Sequence, residues 1–276
     1  MSEAEQPIPR SDLPTRFAAG VVMIGVALGA TAAGGWWFRL LAAAAAAIMT
    51  VEWADMHRVP RHWAYLGGGL LAAMLLAGAE YLYPAALWVE EADAATFQPI
   101  WLGFLMVAGA AGAAGLASRR LTMAGGLLYI GLPSFAMIAM SWVWEVLVFW
   151  VFIVTWATDI LAYFAGRTIG GPKLAPRISP NKTWAGLAGG VIGAGLFGWA
   201  AATWFEMEPL FFWLGAPMGL IAQAGDLYES WLKRRAGVKD SGALLPGHGG
   251  VLDRLDGLLA VALATALLLM AGLWTG

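Results

Sequence analysis

Residues 230–256 read S-W-L-K-R-R-A-G-V-K-D-S-G-A-L-L-P-G-H-G-G-V-L-D-R-L-D, and this stretch decides how the whole chain is interpreted. Charged side chains are crowded here, although only 12% of the 276 residues are charged. The P-G-H-G-G turn cannot be part of an uninterrupted helix, because proline lacks a backbone donor and glycine favours irregular backbone. Dense charge beside apolar segments is typical of water, phosphate or metal bound at a membrane surface.

The composition places the chain in a membrane. It is 60% hydrophobic with a mean hydropathy of +0.70, whereas soluble domains are about 45–50% apolar and about 25% charged. The net charge of −2 carries little information in such a protein, and we expect no nucleic-acid partner. The absence of cysteine excludes disulfides, thiolate metal sites and a thiol nucleophile.

The apolar runs predict an all-α polytopic membrane protein with about nine transmembrane helices, since a span needs roughly 20 apolar residues. The first two spans form one long apolar stretch, which we divide at Gly34-Gly35 because a single helix would overshoot a core of about 30 Å. The predicted spans lie at about 17–33, 36–54, 62–83, 99–117, 121–140, 143–165, 183–204, 209–228 and 256–274.

The distribution of lysine and arginine predicts a cytoplasmic N-terminus and a C-terminus outside. With that orientation 15 of the 16 basic residues lie inside and only Arg39 lies outside, as the positive-inside rule requires. The outside loops carry acidic residues, namely Glu90, Glu91, Asp93, Glu206 and Glu208. The polar first 16 residues make a poor signal peptide, so we expect the first span to be retained.

We divide the chain into two regions. Residues 1–120 are predicted to be a transmembrane scaffold of about four spans with few ionisable groups inside the membrane. Residues 121–276 are predicted to be the catalytic region. Two long cytoplasmic segments, about 166–182 and 229–255, lie on the same face and can meet, which requires residues 170 and 245 to be on one side of the bilayer.

The first polar cluster runs from Asp159 to Trp184. Asp159 and Tyr163 are spaced i, i+4 and share one face near the end of an apolar helix. Glycines and prolines then predict an irregular connection with free backbone N–H groups. In this cluster Ser179, Asn181 and Thr183 can cap the next helix, whose N-terminus favours phosphate.

The same cluster also has a simpler explanation. Lys182 and Arg177 can contact lipid headgroups, and Thr183 can act as a helix cap and nothing more. The residues alone leave both alternatives open.

The second cluster lies at the ends of two helices. Asp226, Glu229 and Ser230 are expected to continue the eighth helix into water, and Asp253 and Asp256 begin the last helix. Oxygen ligands without cysteine suit a hard cation such as Mg²⁺. Structural ion pairs with the neighbouring lysines and arginines are the alternative.

The turn at 246–250 is the feature of the backbone that is hardest to replace. Gly247, Gly249 and Gly250 allow positive φ and close approach of the chain to a ligand. His248 can be a general acid, a phosphate donor or a structural hydrogen-bond partner. A magnesium ion, several cations and exposed amides are what phosphoryl or nucleotidyl transfer requires.

At these residues the chain resembles the phosphatidate cytidylyltransferase (CDP-diacylglycerol synthase) family. Residues 230–256 contain the elements S-x-hydrophobic-K-R, K-D, H-G-G and D-R-hydrophobic-D of that family's signature. Residues 179–186 match S-P-x-K-T-W-x-G, and residues 159–167 match D-x-x-A-Y-F-x-G-R. Specific similarity therefore covers about 159–257.

The resemblance implies transfer of the cytidylyl group of CTP to phosphatidate, which gives CDP-diacylglycerol and pyrophosphate for phospholipid biosynthesis. It implies Mg²⁺ on Asp226, Asp253 and Asp256, with a second cation such as K⁺. The implied catalytic residues are Asp226, Lys233, Lys239, Asp253 and Arg254. The implied substrate-binding residues are Ser179, Asn181, Lys182, Thr183, Ser230, Arg234, His248, Gly249, Gly250 and Asp159.

Two other classes of protein are alternatives. Another Mg²⁺-dependent lipid-phosphate transferase or kinase could act at this face, but the D-G-x-x-A-R element expected of CDP-alcohol phosphotransferases is missing from the sequence. A transporter would place its acids near the midplane in two matching halves, whereas the acids of this chain cluster at the cytoplasmic ends of the helices.

We expect a bacterial inner membrane protein with membrane lipids around it and an active site on the cytoplasmic face, and we leave a homodimer open.

Overall fold

The computed structural model describes residues 13–86, 99–244 and 249–272. These ranges form nine helices and one two-stranded sheet. In chain order the elements are α1 (Leu13–Ala33), α2 (Gly35–Met56), α3 (Arg61–Ala86), α4 (Pro99–Ser118), α5 (Leu121–Val143), α6 (Glu145–Thr168), β1 (Lys173–Ala175), β2 (Ser179–Thr183), α7 (Trp184–Trp204), α8 (Phe211–Ala236) and α9 (Leu252–Met270). The outside-loop acids Glu90, Glu91 and Asp93 lie outside the described residues.

The predicted helical architecture is confirmed, and each predicted span overlaps one helix. Five of the described helices are long and apolar enough to cross a membrane, namely α2, α4, α5, α6 and α7. The chain is therefore a helical protein with several membrane-capable helices. The count of nine spans and the orientation of the termini stay predictions.

The break between α1 and α2 falls at the predicted glycine pair. Gly34 has φ 62° and Gly35 has φ 51°, a left-handed backbone that residues with a Cβ adopt at a cost. The stretch from 17 to 54 is consequently two helices rather than one.

Small residues bring α6, α7 and α8 into close contact. A Cβ on Gly186 would lie 3.0 Å from the carbonyl oxygen of Ala162, and a Cβ on Gly198 would lie 3.0 Å from the Cα of Gly215. Small residues at such crossings are typical of helices that pack inside a membrane, because backbones can then approach closely. This packing holds the end of α6 against the start of α7, and the end of α7 against the start of α8.

The outer surface of the bundle is apolar. Leu116, Leu121 and Trp204 are more than four-fifths exposed, whereas Leu127, Ile130 and other apolar residues of α5 are fully buried. An exposed apolar surface of this kind costs nothing where lipid tails surround it. The arrangement fits the membrane location inferred from composition.

The connection between α6 and α7 differs from the prediction. We expected an irregular segment with free N–H groups, but β1 and β2 form an antiparallel hairpin in which Lys173 pairs with Thr183 and Ala175 with Ser179. Pro180 fits in β2 because a two-stranded ribbon has open edges where a missing donor is tolerated. Part of the backbone that we expected to meet a ligand is therefore already hydrogen-bonded.

Candidate active site

Helices α8 and α9 cross so closely that two acidic residues are brought together. A Cβ on Gly225 would lie 3.0 Å from the carbonyl oxygen of Asp256, so only glycine fits there without a shift. Asp226 follows Gly225 directly, and its charge acts on Asp256. Asp159 on α6 is also within electrostatic range of Asp226. Carboxylates from three helices thus share one region.

The hairpin lies against α8 through a lysine. Lys182 Nζ lies 2.7 Å from Asp226 Oδ2 and donates a hydrogen bond of 3.2 Å to Gln223 Oε1. Farther along α8, Arg234 Nε donates to the carbonyl oxygen of Ile178 in the hairpin turn at 3.3 Å. The two polar segments that the sequence placed on one face therefore meet.

Lys233 joins two carboxylates. Its Nζ lies 2.6 Å from Asp253 Oδ1 on α9 and 2.6 Å from Glu229 Oε2 one turn earlier on α8. Glu229 has an exposed fraction of 0%, which corrects the expectation that this residue extends into water. Its position one turn before Lys233 makes the burial possible, because the ammonium offsets the buried negative charge.

Asp253 is held by donors on both oxygens. It accepts from Lys233 Nζ at 2.6 Å, from the backbone N–H of Ser241 at 2.9 Å and from the backbone N–H of Gly250 at 2.8 Å. Burial alone would raise the pKa of Asp253, but these hydrogen bonds outweigh it and lower the pKa below its usual value. For Lys233, burial acts to lower the pKa, but the bonds to Asp253 and Glu229 raise it. Both shifts keep the Lys233–Asp253 pair charged at neutral pH.

The turn before α9 contains the glycines that the sequence singled out. Gly249 has φ 85°, in the left-handed region as predicted. Gly250 has no room for a Cβ beside Ser241 Oγ and the carboxyl carbon of Glu52. Its N–H already donates to Asp253, so that amide is not free for a ligand. His248 and Gly247 lie outside the described residues, and the three alternative roles of His248 stay open.

Glu52 on α2 is a site residue that the sequence patterns did not single out. It is 7% exposed, and its two oxygens accept from the backbone N–H groups of Val251 and Leu252, each at 2.8 Å. Ser241 Oγ donates to it at 3.4 Å. A usable signal existed, because an acid inside an apolar helix is rarely without a partner or a function. The prediction that residues 1–120 serve as scaffold did not include this contact.

Tyr129 on α5 was also missed. Its hydroxyl is buried without a hydrogen-bond partner among the described residues. The carboxylates of Asp226, Glu229 and Asp256 are all close enough to act on it electrostatically, and its ring lies 5.6 Å from that of Tyr228. Nothing in its sequence neighbourhood, L-L-Y-I-G-L, distinguishes it from core packing.

The remaining predicted residues fall into three groups. Ser230 Oγ donates to Asp226 Oδ1 at 3.4 Å, so it supports the carboxylate. Thr183 Oγ1 accepts from the N–H of Gly186 at 3.0 Å and caps α7 as expected, whereas Ser179 and Asn181 lie on β2 and not at the cap. Other predicted residues are exposed, namely Asp159, Arg234, Lys239 and Arg254.

The donor set can be compared with what a magnesium ion needs. Within residues 13–86, 99–244 and 249–272, no group of three or more histidine or acidic residues is arranged to hold a metal ion. Mg²⁺ in nucleotide enzymes is bound by one or two carboxylates together with substrate phosphates and water. Asp226 and Asp256 fit that pattern in number, and Asp226 would first have to release Lys182, whose Nζ lies 2.7 Å away. Asp253 would first have to exchange Lys233 or a backbone donor.

A cavity of about 480 Å³ lies beside this region. Its walls come from α2, α3 and residues 241–244 rather than from α8 and α9, and Glu52 and Ser241 are among the lining residues. The cavity therefore contacts the same loop that holds Asp253, but it is separate from the Asp226–Asp256 carboxylates.

Comparison with known proteins shows which family the chain belongs to. A sequence profile of the Cytidylyltransferase family matches residues 14–271, well beyond the 159–257 over which specific similarity was noted above. The chain belongs to the cytidylyltransferase family.

Several curated bacterial proteins are similar to it. A phosphatidate cytidylyltransferase of Brucella abortus biovar 1 (strain 9-941) is 54% identical over 116 residues, which is 40% of this chain and 42% of that protein. Phosphatidate cytidylyltransferases of Rickettsia bellii (strain RML369-C) and Rickettsia conorii (strain ATCC VR-613 / Malish 7) are 43% and 37% identical over 124 and 151 residues. These two matches cover 40% and 50% of this chain, and 52% and 65% of the relatives. The matched stretches thus cover less than two thirds of each relative.

Proposed function

We propose that this chain transfers the cytidylyl group of CTP to phosphatidate, giving CDP-diacylglycerol and pyrophosphate. The observation that carries the proposal is that α8 forms both the Lys182–Asp226 pair with the hairpin and the Lys233–Asp253 pair with α9. Lys182, Lys233 and Asp253 belong to sequence elements of the family signature, and Asp226 lies within the stretch of specific similarity. Membership of the cytidylyltransferase family and the names of the relatives support the same reaction.

The reaction forms one bond and breaks one. A phosphate oxygen of phosphatidate attacks the α-phosphorus of CTP, and the bond from that phosphorus to the oxygen of the departing pyrophosphate breaks. The phosphatidate oxygen is already anionic near neutral pH, so no general base is needed. The barrier is repulsion between two polyanions, which positive charge at the site lowers.

The basic residues supply that charge. Lys182 forms an ion pair with Asp226, and Lys233 forms one with Asp253. Lys239 and Arg254 have exposed side chains that can reach phosphate oxygens. Ser179, Asn181 and Ser230 are proposed as supporting donors. Arg234 fastens the hairpin turn to α8 and so keeps Lys182 in place.

Asp226 and Asp256 are proposed to hold Mg²⁺, which when bound would neutralise phosphate charge. Asp253 is proposed first as the anchor of Lys233, and it becomes a ligand only by exchanging one of its present donors. Among the described residues, the Tyr129 hydroxyl and Glu229 Oε1 are buried without a hydrogen-bond partner, which supports a further polar occupant here. A second cation such as K⁺ remains part of the proposal on the strength of the resemblance.

The site is proposed to face the cytoplasm in a bacterial inner membrane, with nine spans and a cytoplasmic N-terminus. In support, the polar hairpin and the charged ends of α8 and α9 lie together. CTP then enters from water. Phosphatidate enters laterally between helices, since its acyl chains stay in the bilayer.

The deciding experiment incubates purified protein with labelled CTP, phosphatidate and Mg²⁺. We expect a labelled CDP-lipid and one pyrophosphate for each lipid formed, with neither product when phosphatidate is omitted. Release of a nucleoside diphosphate instead would identify a kinase and overturn the proposal. So would the absence of turnover in protein shown to be folded.

A further inference from the structure

We infer that Glu52 is a positioning residue, which fixes the start of α9 and through it the Lys233–Asp253 pair. The inference rests on the proposed function for its effect on turnover. Its structural part stands on the contacts of Glu52 alone.

Helix α9 begins without a cap of its own. The residue before it is Val251, which makes no side-chain hydrogen bond to the helix, and Gly250 precedes that. The first N–H groups of a helix have no partner inside the helix and need an external acceptor. Both carboxylate oxygens of Glu52 fill this need, at 2.8 Å from the N atoms of Val251 and Leu252. A negative charge at a helix N-terminus is favourable in addition.

Gly242 and Gly250, together with the N–H groups of Val251 and Leu252, form a seat for the Glu52 carboxylate. A Cβ on Gly242 would lie 2.9 Å from Glu52 Oε1, and a Cβ on Gly250 would lie 2.7 Å from Glu52 Oε2. Any side chain at either position would push Glu52 away from the helix. The acid and the two glycines are therefore sterically matched.

Ser241 links this seat to the Lys233–Asp253 pair. Ser241 donates its hydroxyl to Glu52 and its backbone N–H to Asp253, and Asp253 holds Lys233. Glu52 itself is not needed near the substrate for this effect. Loss of its charge would loosen Ser241 and the first turn of α9, and Lys233 would lose a fixed partner.

The test compares Glu52→Gln with Asp55→Asn. Asp55 lies on the same helix and forms an exposed ion pair with Arg61 at 3.8 Å, so it is a matched acid outside the seat. Glutamine keeps the size of the Glu52 side chain, but its NH₂ group would face the N–H of Val251 or Leu252. One hydrogen bond is then lost, because two donors cannot bond to each other. Steady-state kinetics with CTP and phosphatidate are measured, together with hydrogen exchange of peptides covering residues 249–255.

For E52Q we expect the KM for CTP or for phosphatidate to rise about tenfold, the lower end of what supporting residues contribute. We also expect faster exchange confined to the start of α9, and D55N should match the wild type in both measurements. Wild-type kinetics and exchange in E52Q would overturn the inference. A lower kcat with both KM values unchanged and faster exchange in every helix would also overturn it, since that pattern reports a smaller folded fraction.

The two proposals fail in different ways. If the wild-type protein forms no CDP-lipid, the proposed function fails, and exchange at residues 249–255 in E52Q still decides whether Glu52 holds α9. If the wild type is active and E52Q behaves identically, only the inference about Glu52 fails.

Discussion

Lys182 Nζ and Asp226 Oδ2 are 2.7 Å apart, and this ion pair fastens the β-hairpin to α8. The side chains are 17% and 34% exposed, so the pair lies near the surface of the site and can open to admit a ligand. A lysine that neutralises a carboxylate can transfer to phosphate when a metal takes its place on the carboxylate. The pair therefore marks the position at which the proposed substrate and metal would exchange with protein contacts.

The first prediction concerns this lysine. Lys182→Ala should lower kcat/KM by about 100-fold, because one cation is lost from a site where charge stabilisation dominates. The matched control is Lys173→Ala, which removes an exposed lysine from the other strand of the same hairpin. Labelled-CTP turnover of both variants checks the prediction. Equal activity of the two variants would show that Lys182 does not contribute to turnover.

The second prediction concerns Asp226. Asp226→Asn keeps the size of the side chain but removes the charge that a divalent ion needs, so activity should fall by about 100-fold or more and the Mg²⁺ concentration for half-maximal rate should rise. Glu206→Gln, beyond the opposite end of α7, is the control. A magnesium titration of turnover measures both effects. An unaltered magnesium dependence in D226N would remove Asp226 from the metal site.

The third prediction concerns the buried charges around Lys233. Lys233→Met should destabilise the protein by about 3–5 kcal/mol, because Glu229 and Asp253 then lack their common partner. Adding Glu229→Gln should recover part of the loss, since one uncompensated buried charge is removed. Thermal unfolding in detergent, followed by tryptophan fluorescence, compares these variants with Arg235→Met, which removes an exposed cation. A double variant no more stable than Lys233→Met would contradict the explanation.

The fourth prediction concerns packing of α7. A Cβ on Gly190 would lie 3.0 Å from the carbonyl oxygen of Thr158 and 3.1 Å from Nε2 of Gln223, whose amide also binds Lys182. Gly190→Ala should therefore cost about 1–3 kcal/mol and reduce turnover. Gly125→Ala on α5 meets no atom within 4 Å and should be neutral or stabilising. Unfolding midpoints and turnover of the two variants decide the matter, and a neutral Gly190→Ala would contradict the packing argument.

Local patterns in the sequence were sufficient for the helices and for the meeting of the two polar segments. Apolar runs of about 20 residues locate helices because the membrane imposes their length. The glycine pair at Gly34 and Gly35 marks the break between the first two helices. The sequence placed Asp226 and Lys182 in two polar segments on one face of the membrane, and the structure joins them.

The features that the sequence did not predict depend on partners far apart in the chain or on tertiary packing. Glu52 caps a helix 199 residues away, and no local pattern specifies such an acceptor. Glu229 has polar neighbours in the sequence and was predicted to be solvated, but packing of α8 turns it inward. The hairpin was missed because glycines and prolines indicate turns without specifying which strands pair.

The separation of 199 positions between Glu52 and Val251 has a consequence for assembly. During synthesis α2 is complete long before α9 leaves the ribosome, so the Glu52 carboxylate has no access to the N–H groups of α9 while the rest of the bundle is inserted. Loop closure over such a distance is slow relative to contacts between adjacent helices. The cap on the last helix therefore forms only after the other helices have been made, and the site is among the final parts of the molecule to mature.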